Sequence, residues 1–122
     1  MSKNRNFGSA LRYAFAGIKH TAMRERNFRI QTFIAILTLA FCFVFRVEGW
    51  QFLAVVLSIF FVLAMELVNT AVEAAVDLVC DNKPHPLAKI AKDAAAGAVL
   101  LASFQAIIVG AIVINSVIRS YL

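Results

Sequence analysis

Glu66, Asn69, Glu73 and Asp77 are spaced i, i+3, i+7 and i+11, so on a helix they fall on one face. The residues between them are mostly Ala, Val and Leu. A polar stripe on an apolar helix inverts the pattern of a soluble amphipathic helix, and ionisable groups inside a membrane segment mark a functional site. Two carboxylates near the interface could share a hard divalent cation such as Mg²⁺, which takes oxygen ligands and keeps several waters. Glu66 sits furthest from the polar end of the stripe. A carboxylate at that depth is placed to take a proton from a lipid-depth hydroxyl. Lys92 offers a cation for phosphate. Metal, cation and base together suit phosphoryl transfer, which asks the protein for positioning and charge more than for covalent work. The same residues could instead only tie helices together through buried polar pairs.

The elements that must position these groups follow from the hydropathy pattern. Residues 1–25 carry Phe7, Leu11, Ala14, Phe15 and Ile18 at spacings of 3 or 4 between basic side chains. This predicts an amphipathic helix lying in the membrane interface, or a positively charged topology anchor, or both. Three transmembrane helices are expected at 27–46, 50–79 and 88–119, in one domain spanning 1–122. Arg46 to Gly49 is a tight connection, and Trp50 stands where an interfacial aromatic belongs. The second span is too long for the ~30 Å hydrocarbon core, so its acidic C-terminal end must emerge. Cys80 to Pro86 reads as a loop, with two prolines, Asn and Asp. The small residues Ala94 to Ala98 permit close approach of another helix or of a ligand.

Composition sets the class. Of 122 residues, 61% are hydrophobic and 16% charged, a balance for an all-α integral membrane protein rather than a soluble domain. The formal net charge of +5 lies beside the apolar segments, which favours an anionic membrane surface as partner over nucleic acid. The N-terminal segment (Lys3, Arg5, Arg12, Lys19, Arg24, Arg26, Arg29) and the 80–93 loop (Lys83, Lys89, Lys92) hold ten of the twelve Lys and Arg. The positive-inside rule therefore places the N-terminus and the loop in the cytoplasm and the C-terminus outside. The first 29 residues lack a continuous apolar stretch of the kind a cleavable signal peptide has. Cys42 and Cys80 are expected toward opposite faces, as small packing residues. The glycines form no nucleotide-binding loop of known spacing, and His20 and His85 have no zinc spacing with cysteine.

The run Glu66-Leu-Val-Asn69-Thr-Ala-Val-Glu73-Ala-Ala-Val-Asp77 resembles the signature of the prokaryotic diacylglycerol kinases, E-x-x-N-[ST]-A-[IV]-E-x-x-x-D. His85 followed by Ala91-Lys92-Asp93, Glu25-x-x-Phe28-Arg29, and Tyr13 with Gly17 are similar to further motifs of that family, so the likeness covers nearly the whole chain. The resemblance implies a three-span kinase with an N-terminal surface helix, acting as a homotrimer in the bacterial cell membrane. It implies phosphorylation of a lipid alcohol with MgATP. By matching position, Glu66 would be the catalytic base, and Glu25 and Glu73 would bind Mg²⁺. Tyr13, Asn69, His85, Lys92 and Asp93 would line the nucleotide site with those two acids. Phe28, Arg29 and Gln31 would lie near the lipid, beside Glu66.

Lys92-Asp93-Ala94-Ala95-Ala96-Gly97-Ala98-Val99 and the long Asp81–Pro86 loop resemble the Gram-positive form, the undecaprenol kinases. Undecaprenol is therefore the expected substrate, with diacylglycerol as the alternative. A different class, a proton relay or structural subunit, stays open on the polar stripe alone. A relay needs polar groups through the whole span, whereas Phe52 to Leu63 offers only Ser58.

Overall fold

The structure is a computed structural model that describes residues 6–122. Lys3 and Arg5, counted above among the basic anchor, lie outside the described residues. The described chain is helical throughout, with four helices: α1 Phe7–Arg24, α2 Arg26–Val44, α3 Trp50–Cys80 and α4 Pro86–Tyr121. α2, α3 and α4 are long and apolar enough to cross a membrane. At ~1.5 Å per residue, the 19 residues of α2 match the hydrocarbon thickness. The 31 of α3 and 36 of α4 overrun it. The fold is thus an all-α integral membrane architecture with a short amphipathic helix at its head.

Each helix end has a local cause. The Asn6 side chain caps α1 by accepting from the Ser9 N–H at 2.8 Å. α1 stops at Glu25, one extended residue (φ −106°, ψ 111°) that serves as C-cap of α1 and N-cap of α2. A single extended residue between two helices makes a corner, and the Arg29 guanidinium fixes it. Its Nη1 donates to the carbonyls of Ala22 and Met23 at 2.9 and 3.1 Å, satisfying acceptors that the end of α1 leaves open.

The α2–α3 connection is a Schellman turn. The Val47 N–H donates to Cys42 O at 2.9 Å, with Arg46 in the left-handed region, and Val47 packs against Cys42 in the small core. Gly49 follows at φ 67°, ψ −143°, close to a region that only glycine populates without strain. After α3 the chain turns through Asp81 and Asn82, both left-handed, with Asn82 N–H returning to Asp77 O at 2.9 Å. Pro86 then opens α4, two residues ahead of the expected 88. Proline at a first helical position loses no hydrogen bond, and the His85 ring Nδ1 caps the helix by accepting from Leu87 N–H at 3.1 Å.

α3 is the axis. The other three helices all pack on it, and α4 lies along most of its length. Polar clasps hold the α3–α4 pair at three levels: Lys92 to Asp77 at 2.6 Å, Gln105 to Ser58 at 2.7 Å, and Gln51 to Ser116 at 2.9 Å. The buried apolar set is small: Phe28, Cys42, Val47, Val55, Val62, Ala102 and Val113. Most large apolar side chains of α2, α3 and α4 face outward, as they must where lipid or another copy surrounds the bundle. Gly49 has open space around a would-be Cβ, so backbone strain alone decides its substitution. Gly49→Ala is expected to cost about 1–3 kcal/mol, read as a lowered thermal midpoint of the detergent-solubilised protein. An unchanged midpoint would mean the turn relaxes freely.

Candidate active site

The corner at Glu25 and the inner half of α3 bring three carboxylates to one end of the bundle. The charges of Glu25 and Glu73 both act on Glu66. Glu66 is buried, with 5% of its surface exposed, while Glu25 and Glu73 are half-buried. Burial of a carboxylate needs donors. Glu66 has one: Gln31 of α2 donates through Nε2 to Glu66 Oε1 at 2.7 Å. Among the described residues, no Lys, Arg or His forms an ion pair with Glu66; the ion pairs present are Lys89–Asp93 and Lys92–Asp77.

One turn on, Asn69 Nδ2 donates to Glu73 Oε1 at 3.3 Å. The amide's other end, Asn69 Oδ1, is buried with no hydrogen-bond partner. A buried acceptor left bare costs free energy, so this end of α3 has an unfilled demand for a donor or a cation. Among the described residues no group of three or more His, Cys, Asp and Glu is placed to hold a metal ion by itself. Glu25, Glu73 and Asn69 carry oxygen donors of the kind Mg²⁺ takes, and an ion held by them would need water and phosphate oxygens to complete its shell.

The remaining expected site residues fall in two groups. Lys92 and Asp93 lie at the head of α4 on this same end. Lys92 is engaged with Asp77 and Asp93 with Lys89. His85 is exposed and caps α4, and Tyr13 is on α1, with the Arg12 guanidinium 5.6 Å from its ring centre. On the lipid side, Phe28 is buried beneath the corner, and Arg29 is spent on the end of α1. Gln31 reaches Glu66 directly. A cavity of about 420 Å³ opens between α2 and α4 over α3. Ile30, Ile34, Ile59, Leu63 and Ile107 line it, with Gln31 also in its wall.

Several polar contacts were not readable from spacing along one helix. Asp77 belongs to the stripe, yet its partner Lys92 is fifteen residues away, across a loop whose register only the folded hairpin defines. Thr21 is buried against the corner and donates to Gly17 O, a helix-internal bond with no sequence signature.

Comparison with known proteins gives the same direction from an independent side. The profile of the Prokaryotic diacylglycerol kinase family matches residues 12–114. A diacylglycerol kinase of Synechocystis sp. is 44% identical over 101 residues, covering 83% of this chain and 58% of that protein. The chain thus spans well under two thirds of that relative's length. An undecaprenol kinase of Bacillus subtilis is 41% identical over 110 residues, 90% of this chain and 88% of the relative. A diacylglycerol kinase of Haemophilus influenzae is 29% identical over 94 residues, 77% and 79% of the two chains. The chain belongs to the prokaryotic diacylglycerol kinase family, a family of multi-pass bacterial membrane proteins that are lipid kinases.

Proposed function

We propose that this chain, as one kinase domain, transfers the γ-phosphate of ATP to the hydroxyl of undecaprenol, giving undecaprenyl phosphate. The observation that carries the reading is Glu66. It is a buried carboxylate without a cationic partner among the described residues, and Gln31 beside it lines an apolar cavity between the helices. A buried carboxylate held for structure alone would gain most from a neighbouring Lys or Arg. Here its neighbours are two further acids.

In the proposed step Glu66 accepts the proton of the lipid hydroxyl as its oxygen attacks the γ-phosphorus. The bond between that phosphorus and the β–γ bridging oxygen breaks, and ADP leaves with the electron pair. Glu25 and Glu73 would hold Mg²⁺, and Asn69 Oδ1 is a further hard oxygen beside Glu73. The ion supplies positive charge to the phosphate oxygens. Lys92 would leave part of its contact with Asp77 to phosphate. That exchange is cheap, because both side chains are about 40% exposed. Tyr13, His85 and Asp93 would border the nucleotide from α1 and the α4 head. Phe28 and Arg29 would shape the corner against which the lipid lies.

The long-chain alcohol is favoured over diacylglycerol by the Lys92–Val99 sequence form and by the Bacillus relative, which aligns over nearly all of both chains. The Synechocystis relative supports the second reading, diacylglycerol. Charge supports an orientation with the N-terminus and active site cytoplasmic and the C-terminus outside. The resemblance to the family is what supports a homotrimer, testable by native mass measurement of the solubilised protein.

The deciding assay is transfer of labelled γ-phosphate in mixed micelles, with undecaprenol and diacylglycerol offered separately. Faster labelling of diacylglycerol would overturn the substrate but keep the mechanism. Labelling of neither would remove the kinase reading. Glu66→Gln is expected to lower kcat by about 10²–10⁴-fold while nucleotide binding persists; substantial turnover would exclude Glu66 as base. Glu73→Gln is expected to shift the Mg²⁺ activation curve to higher concentration or abolish turnover, and an unmoved curve would exclude it as a ligand.

A further inference from the structure

The resemblance to known kinases put Gln31 among residues near the lipid. Its observed contact gives it another part. Gln31 Nε2 donates to Glu66 Oε1 at 2.7 Å, across the α2–α3 interface and thirty-five positions apart in sequence. This is the only hydrogen bond to the Glu66 carboxylate among the described residues. The other oxygen, Oε2, has no partner there. Nor is it both buried and unpartnered, a state found among the described side chains only at Asn69 Oδ1. One oxygen is therefore tied, and the other is unpaired without being wholly sealed.

A glutamate has three rotatable bonds, and near Glu25 and Glu73 its charge is repelled rather than anchored. Without a donor, no other side chain among the described residues would hold this carboxylate in one orientation. The Gln31 amide does so from a part of α2 that is itself held. It sits in the second turn of α2, next to the corner that Arg29 fixes through the carbonyls of Ala22 and Met23. Gln31 also lines the apolar cavity, so the residue that ties the carboxylate is itself part of that cavity's wall.

We infer that Gln31 is a positioning residue for Glu66: by binding Oε1 it turns Oε2 toward the lipid hydroxyl and so sets the rate of proton removal rather than the affinity for lipid. The inference rests on Glu66 acting as the base in the proposed reaction. Misplacing a reacting group by about 1 Å can cost on the order of 10²-fold in rate. The amide is one of several contacts the lipid could make, so its loss should leave lipid affinity nearly intact.

The test uses Gln31→Met, which keeps the side chain's length but removes the donor, and Gln31→Ala, which removes the amide without adding bulk. Both are assayed in the full chain in mixed micelles, with the preferred lipid and MgATP varied separately. The expected result is a kcat lower by about 10- to 100-fold with KM for lipid within about twofold. A raised lipid KM with kcat preserved would overturn the inference and make Gln31 a lipid contact. No change in either constant would also overturn it.

A second readout does not need turnover. The infrared carboxylate band that Glu66→Gln removes is expected to shift in Gln31→Met. A band at the same frequency would show that the hydrogen bond is absent in the membrane protein and end the inference. Should the unmodified chain transfer no phosphate to any lipid, the proposed function falls. The infrared comparison still judges the Gln31–Glu66 link by itself.

Discussion

A carboxylate buried in an apolar helix bundle must find a donor, and the hydrogen bond from Gln31 to Glu66 is how this fold meets that demand. The bond ties α2 to α3 in the second turn beyond the corner at Glu25, so the same contact that meets Glu66 helps set how α2 approaches α3. Arg29 contributes from the other side, since its guanidinium closes the end of α1 and holds the corner shut. The three carboxylates are therefore placed by two short-range devices, an amide across an interface and a guanidinium over a helix end. The apolar core is too small to place them. Among the described residues seven apolar side chains are buried, and in lipid apolar burial between helices gives little drive of its own.

The long α3–α4 pair shows the same economy. Its clasps couple a charged pair near the loop to neutral amide–hydroxyl pairs deeper in the span, Gln105 to Ser58 and Gln51 to Ser116. That order follows the cost of polarity with depth. Among these clasps the charged pair is the one beside the loop, and the two further along the helices are neutral. The clasps do not extend the Glu66 stripe into a continuous path. Ser58 gives its proton to its own helix at Ala54 O and its lone pair to Gln105. The relay alternative therefore gains no support from the polar groups that the sequence reading had not paired.

The stripe from Glu66 to Asp77 and the three apolar spans were legible because both are periodic along single helices. So was the excess of α3 over the hydrocarbon thickness, which follows from its length. What could not be read is whatever depends on two helices meeting. Gln31 lies on α2 among apolar residues, and nothing in its local sequence points at Glu66. Lys92 looked free for phosphate, and the folded hairpin gives it to Asp77. Arg29, expected near the lipid, also donates to the end of α1, a contact between helices that its local sequence does not announce. Even the head of α4 moved, because the expected start treated Pro86 as the end of a loop, whereas proline is suited to a first helical turn.

The charge at the site end gives the last step. Glu25, Glu66 and Glu73 lie within electrostatic reach of one another, and among the described residues the nearest cation in an ion pair on this face is Lys92, already shared with Asp77. Like charges gathered in a poorly solvated place raise the energy of the empty protein. A free nucleotide polyphosphate would be repelled by the same field. A divalent cation reverses both signs at once, because it neutralises the acids and bridges to phosphate oxygens. The bare Asn69 Oδ1 adds one more acceptor that only a donor or cation can satisfy. In the proposed reaction a metal between these acids and the phosphates makes the charges coherent. The proposal is therefore of a metal–nucleotide complex rather than of either component binding alone.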